Sequence, residues 1–221
     1  MGFDIRFTIA ALKNVPALGY RVAHANGQTI FDHRPGVLVV TETWNWRTKL
    51  GLRRTAPPSF RWHTAFGQSV MIGWDASLYA LVSKKRIRGG NSPAIPGVCD
   101  RRDLFTVRLT DQHTGSEFVV VGVHTAPIPT VKAPDMVPTA ERAHAHAADT
   151  IDEQAALTDL PTIAAGDWNT AKLLHPDLRV GPGITHAELF NGTGRIAAHG
   201  TQVFPMHSDH PGVLLNLSVG P

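Results

Sequence analysis

The chain has a single cysteine, Cys99, in 221 residues. One thiol forms no internal disulfide and no cysteine-built zinc site. Its setting, PGVCDRRD, is turn-like and reads as an incidental thiol. Neither CxxC nor HExxH is present, which removes the common sequence signatures of zinc. No apolar run reaches the roughly 18 residues that a membrane span needs. The opening MGFDIRFTIAALKNVP carries Asp4 where a secretory leader would carry positive charge, and it reads as a strand. A cytoplasmic protein without a membrane partner is therefore expected. No fixed-period repeat and no linker divides the chain, so one domain over 1–221 is expected. Charged residues are only 18% and hydrophobic residues 43%, which excludes a disordered or fibrous chain.

What is present is a mild excess of positive charge, gathered in places. The formal net charge is +3 and the pI is near 9.3. Arg47, Lys49, Arg53 and Arg54 form one cluster, Lys84, Lys85, Arg86 and Arg88 a second, and Arg101 with Arg102 a third. Such clusters are ordinary solvated surface or grip phosphate, because neutralising a phosphate backbone is how proteins hold nucleic acid. Lys84, Arg101 and Arg102 are the candidates for substrate contact. Five tryptophans, Trp44, Trp46, Trp62, Trp74 and Trp168, read as core or groove packing. Trp44 and Trp46 have the alternative of stacking on a base.

Short apolar runs recur between turn formers. FDIRFTIAAL (3–12) alternates like a strand. GVLVVTET (36–43) is continuous and β-branched, hence a strand buried on both faces. SVMIGWD (69–75) and SLYALVS (77–83) read as neighbouring strands. LFTVRLT (104–110) and EFVVVGVHT (117–125) flank DQHTGS and should pair as a hairpin. Residues 139–157 place Ala143, Ala147 and Ile151 at helical spacing behind Thr139 as N-cap. His144 and His146 lie two apart on that helix and do not share a face. PTIAAGDWN (161–169) and GVLLNLSV (212–219) complete the strands. Many strands and few helices predict two packed sheets with helices outside them. Segments 44–68 and 84–102 read as loops. NGT at 191–193 fits a glycosylation sequon, which matters only in a secreted chain.

Three of these strands end in polar chemistry. VLVVTE ends at Glu42, VVVGVH at His124, and TIAAGDWN at Asp167 and Asn169. HSDH (207–210) precedes the last strand. If these ends share one edge of the core, carboxylates converge beside a histidine. Converging carboxylates repel unless a cation sits among them, and a hard divalent ion such as Mg²⁺ is the natural occupant.

With those pieces in order, the chain resembles the endonuclease/exonuclease/phosphatase superfamily, the deoxyribonuclease I-like fold. GDWN with SDH is the specific part of the match. The resemblance implies an α/β fold in four layers, α/β/β/α, with two packed, mostly antiparallel sheets. It also implies metal-assisted cleavage of a phosphate ester, with Mg²⁺ or Mn²⁺. Carried over by position, Glu42 is the main metal ligand and Asp209 the second acidic metal-side residue. Asp167 orients or deprotonates the attacking water, and Asn169 holds a phosphate oxygen. His124 contacts the phosphate or serves the leaving group. His210 hydrogen-bonds a non-bridging oxygen or acts as base, and His207 is a bystander.

Two positions depart from the pattern. The first strand of the family ends in an asparagine near the metal. Here the natural register offers Lys13, and a one-residue bulge would restore Asn14, which is taken as the metal-side candidate. The family also carries an aspartate in a strand before SDH that orients the final histidine, where GRIAAHG (194–200) offers Ala197. A nuclease acting on DNA as a monomer is the first expectation. A phosphatase or phosphodiesterase of a nucleotide, phosphoinositide or sphingolipid head group is the second. A catalytically weak nucleic-acid-binding member is the third.

Overall fold

The branched apolar runs become the central strands of two sheets, because residues of that kind fill a pleated surface buried on both sides. The structure, a computed structural model, describes residues 2–12, 19–127, 134–169, 179–190 and 195–220. The elements in chain order are β1 (Phe3–Ala11), α1 (Gly19–Asp32), β2 (Val37–Thr41), α2 (Trp46–Thr55), β3 (Phe60–His63), β4 (Met71–Asp75), β5 (Tyr79–Ser92), β6 (Arg102–Asp111), β7 (Glu117–His124), α3 (Val137–Ala156), β8 (Thr162–Asp167), β9 (Arg179–Val180), β10 (Thr185–Phe190), β11 (Ile196–Phe204) and β12 (Gly212–Val219). One six-stranded sheet runs β11-β12-β1-β2-β4-β3, and the other β5-β6-β7-β8-β10-β9.

Each sheet has one parallel pair at its centre, β1 with β2 and β7 with β8. Parallel neighbours cannot be joined by a tight turn, and here α1 and α3 make the crossovers. The remaining pairs are antiparallel, including the expected β6–β7 hairpin. The sheets face each other through Phe7, Val39, Ile72, Phe105, Phe118 and Leu215. Burying each such side chain contributes about 1.5–3 kcal/mol. Ala23, Ile30 and Leu52 of α1 and α2 pack on Leu38, Val40 and Met71, covering the first sheet outside. Ile151 and Ala155 of α3 pack on Val121, Val123 and Ala164, covering the second. The result is the expected four-layer sandwich.

Four expectations are corrected. Residues 69–75 and 77–83 are not paired neighbours: β4 bonds to β2 and β3, whereas β5 bonds to β6 in the opposite sheet. The turn at Ala76 to Leu78 crosses between the sheets, with the Ala76 N–H on the Ser59 carbonyl and the Leu78 N–H on that of Asp75. The segment 44–68 is not a loop but holds α2 and β3, with the Asn45 side chain capping the Thr48 N–H at 2.8 Å. Residues 84–92 extend β5 rather than forming a loop. Finally, α3 starts before Thr139, with Met136 as N-cap and a proline in its first turn. No described helix is long and apolar enough to cross a membrane.

Candidate active site

β7 and β8 run parallel with His124 opposite Asp167, so their last residues emerge together. Gly166 makes this closeness possible: a Cβ there would lie 1.9 Å from the Val123 carbonyl oxygen, and its φ of +149° suits glycine alone. β2 comes from the facing sheet. Just past its end, Glu42 takes φ +60°, a left-handed conformation that costs a non-glycine residue about 1–2 kcal/mol. Strain of this kind recurs at functional sites. The outcome is that ligand atoms of Glu42, His124 and Asp167 all lie within 4.8 Å of one another.

The turns that follow are tied together at Thr125. Its N–H bonds the Asp167 carbonyl at 3.2 Å and its hydroxyl bonds the Trp168 carbonyl. Its own carbonyl accepts from Asn169 Nδ2 at 2.9 Å and from Arg102 Nη1. Asn169, at φ +51°, also donates its backbone N–H to Asp167 Oδ1 at 2.9 Å. Arg102 is buried, and its Nε has no partner among the described residues. Its guanidinium lies over the Trp44 ring at 5.4 Å, and that ring sits 5.9 Å from the His124 ring. Arg102 therefore supplies fixed positive charge at the edge of the acidic cluster.

The loop between β11 and β12 brings His210 and Asp209 alongside. Asn26, fully buried on α1, anchors it by accepting the His207 N–H at 2.7 Å. The His210 N–H bonds Ser208 Oγ at 3.3 Å. Both loop residues act electrostatically on Asp167: His210 favours its ionised form and Asp209 opposes it. Burial has the largest influence and raises the Asp167 pKa above the ordinary carboxylate value. His124 is held well below the usual histidine range, first by burial, then by the charges of Arg102 and His210. It is therefore neutral near pH 7, and its buried Nδ1 has no hydrogen-bond partner among the described residues.

Two carboxylates and a neutral imidazole with an unused nitrogen form a donor set that fits a divalent cation. The oxygens suit Mg²⁺ or Mn²⁺, and the nitrogen shifts the balance towards Mn²⁺.

Of the residues anticipated from sequence, the structure gathers Glu42, His124, Asp167, Asn169 and Arg102, with His210 and Asp209 beside them. Asp209 is exposed and stands outside the 4.8 Å cluster. Asn14 and Lys13 lie outside the described residues. Arg101 is held by Asp103, Nε to Oδ1 at 3.1 Å, and Arg86 reaches the same carboxylate. Lys84 pairs with Val107, five residues along β6 from Arg102, roughly 17 Å at about 3.3 Å per residue. It is thus far from the cluster. Ala197 pairs with Ser218, seven residues up β11 from Phe204, and is exposed. It cannot stand where a partner of His210 would stand, so its lack of a carboxylate does not bear on that histidine. Sequence reasoning missed Thr125 and Asn26, which act through a carbonyl and a side-chain amide that no motif marks.

No protein-family model and no curated protein sequence matches the chain. Solved structures do. An endonuclease/exonuclease/phosphatase from Bacteroides vulgatus superposes with a TM-score of 0.74 at 13% identity, over 98% of this chain and 99% of that one. A mannosyl-6-phosphatase from Bacteroides thetaiotaomicron gives 0.72 at 14% identity, over 96% and 99%. TDP2 from D. rerio, complexed with a single-strand DNA product, gives 0.67 at 12% identity, over 97% and 98%. The fold is the deoxyribonuclease I-like fold that the sequence resembled.

Proposed function

We propose that the chain is a divalent-metal-dependent phosphodiester hydrolase acting on nucleic acid, DNA in the first instance, as a cytoplasmic monomer. The observation that carries this reading is the meeting of Glu42, His124 and Asp167 from three strand ends of two sheets within 4.8 Å. Glu42 and His124 would hold the cation, with the Asp167 carboxylate completing the protein's donor set. When bound, that ion would supply positive charge beside the phosphate and ease the formation of hydroxide from water. Asp167 faces the same point and would orient the attacking water and take its proton, a task to which its raised pKa suits it. Asn169 and His210 would hydrogen-bond non-bridging oxygens. Arg102 would offset the charge that gathers on phosphorus oxygens as the leaving oxygen departs.

The same machinery would serve a smaller ester. A cavity of about 360 Å³ beside Trp44 has room for a single nucleotide or sugar phosphate, which favours that as the second reading. One panel separates them: supercoiled, linear, single-stranded and abasic DNA, RNA and a small phosphomonoester, each with Mg²⁺, Mn²⁺ or Ca²⁺. The first reading expects DNA cleavage that EDTA and Asp167→Ala abolish. Release of inorganic phosphate with DNA untouched would select the second, and no hydrolysis of any ester would refute both.

A further inference from the structure

The cavity beside Trp44 has two large aromatic residues standing in solvent, Trp46 at 56% exposure and Phe66 at 88%. Exposed aromatic surface of this kind marks contact sites. Phe66 is also held in place. Lys49, buried on α2, donates its ammonium to Thr64 Oγ1 at 3.0 Å, to the Gln68 carbonyl at 2.8 Å and to the Ala65 carbonyl. It thereby staples the turn that carries Phe66 to the helix that carries Trp46. Trp44 is the wall shared with the reaction centre, through its contact with His124.

The cavity does not end there. Arg53 lines it and also lines an adjoining cleft containing Arg61 and Trp62. Arg61 and Trp62 in turn line a third cleft that reaches Lys84. Among the described residues no aspartate or glutamate lines any of the three, although the chain has 18 acidic residues. Arg53, Arg61 and Lys84 have no carboxylate partner among the described residues. In contrast, Arg86 and Arg101 share the buried Asp103 carboxylate as their partner.

From this we infer that the three clefts form one track for a single-stranded polynucleotide leading to the reaction centre. Bases would stack on Trp46, Phe66 and Trp62, and phosphates would meet Arg53, Arg61 and Lys84. Alternating ring faces and cations without a carboxylate partner fit a strand whose bases are unstacked, whereas a duplex hides those faces. Lys84, remote from the catalytic cluster, thus gains a substrate contact at the far end of the track. The inference rests on the phosphodiesterase reading above but is tested apart from it.

The test is binding of a labelled twenty-nucleotide oligothymidylate, its ribose counterpart and a matched duplex to the full chain in EDTA. The single strands should bind at least about tenfold more tightly than the duplex. Trp46→Ala with Phe66→Ala should weaken binding about tenfold or more and leave its salt dependence intact. It should also reduce quenching of a 2-aminopurine placed in the strand. Arg53→Gln, Arg61→Gln and Lys84→Gln together should lower the slope of log affinity against log salt by about 2, at about 0.7 per phosphate. Circular dichroism checks that each variant folds. Duplex binding as tight as single-strand binding, or unchanged binding in both variants, would overturn the track. Strand binding that follows these variants without hydrolysis of any ester would keep the track and refute the enzyme. Hydrolysis of a small ester without strand binding would do the reverse.

Discussion

The ends of β8 and β2 each present an acid followed closely by a tryptophan, and the two tryptophans do opposite work. After Asp167, Trp168 is 1% exposed, its ring stacked on His186 at 10° and 5.2 Å, and its Nε1 bound to the His186 carbonyl at 3.1 Å. Two residues after Glu42, Trp44 is half-buried between His124 and Arg102, with its other side on an open cavity. One ring is locked in the core behind Asp167. The other is a wall between the acidic cluster and the open cavity. The same residue type after the same kind of strand end is read by what lies under it, core or cleft.

The largest effect should come from the acid itself. Asp167→Ala is expected to lower kcat by about a thousandfold or more, within the range for losing a positioned acid–base group. Its melting temperature in EDTA should not fall, because burying that carboxylate is unfavourable. Activity within tenfold of wild type would place the proton transfer elsewhere. Next come the tryptophans. Trp168→Ala should cost about 3–5 kcal/mol of stability by urea titration. Trp44→Leu should stay within about 1 kcal/mol of wild type and should raise KM, as expected where a partly exposed contact is lost. Equal destabilisation of the two variants would break the contrast. The neighbouring arginines sharpen it: Arg102→Met should reduce kcat/KM about a hundredfold, as removal of a fixed charge at the reacting group does. Arg101→Met, whose partner is Asp103, should remain near wild type in the same assay.

The smallest effect is one of pH. Because His124 in the folded chain resists protonation, the unfolded chain binds more protons below pH 6.5. Stability in EDTA should therefore fall as pH drops below that value, by at most about 1.4 kcal/mol per pH unit for this residue. His124→Gln should flatten the slope, and an unchanged slope would show that His124 titrates normally.

The strand ends were legible because β2, β7 and β8 are continuous apolar runs that stop at a polar side chain able to bind a cation, and such runs have one place to go in a two-sheet fold. Helix α1 was not legible. GYRVAHANGQTIFD contains two glycines, and its buried positions include Gly19, Asn26 and Gly27, so neither propensity nor an apolar stripe announces it. Its Asn26 nevertheless anchors the loop that carries His210. Helix α2 hid behind the buried Lys49, a residue that reads as surface until its three oxygen partners are seen. The placement of β5 failed for another reason: a three-residue turn normally joins neighbours, and nothing local records that this one changes sheet. Arg102, the first residue of β6, is buried on the Thr125 carbonyl, whereas Arg101 just before the strand is exposed and paired with Asp103, and nothing in the adjacent sequence separates the two.

Calorimetric titration of Mn²⁺ into the full chain tests the central claim most directly, because it reads the cluster without a substrate. Saturable binding is expected in wild type, lost in Glu42→Gln and Asp167→Asn and kept in Arg101→Met. Binding that survives both acid substitutions, or that wild type lacks, would contradict a cation site built from these strand ends.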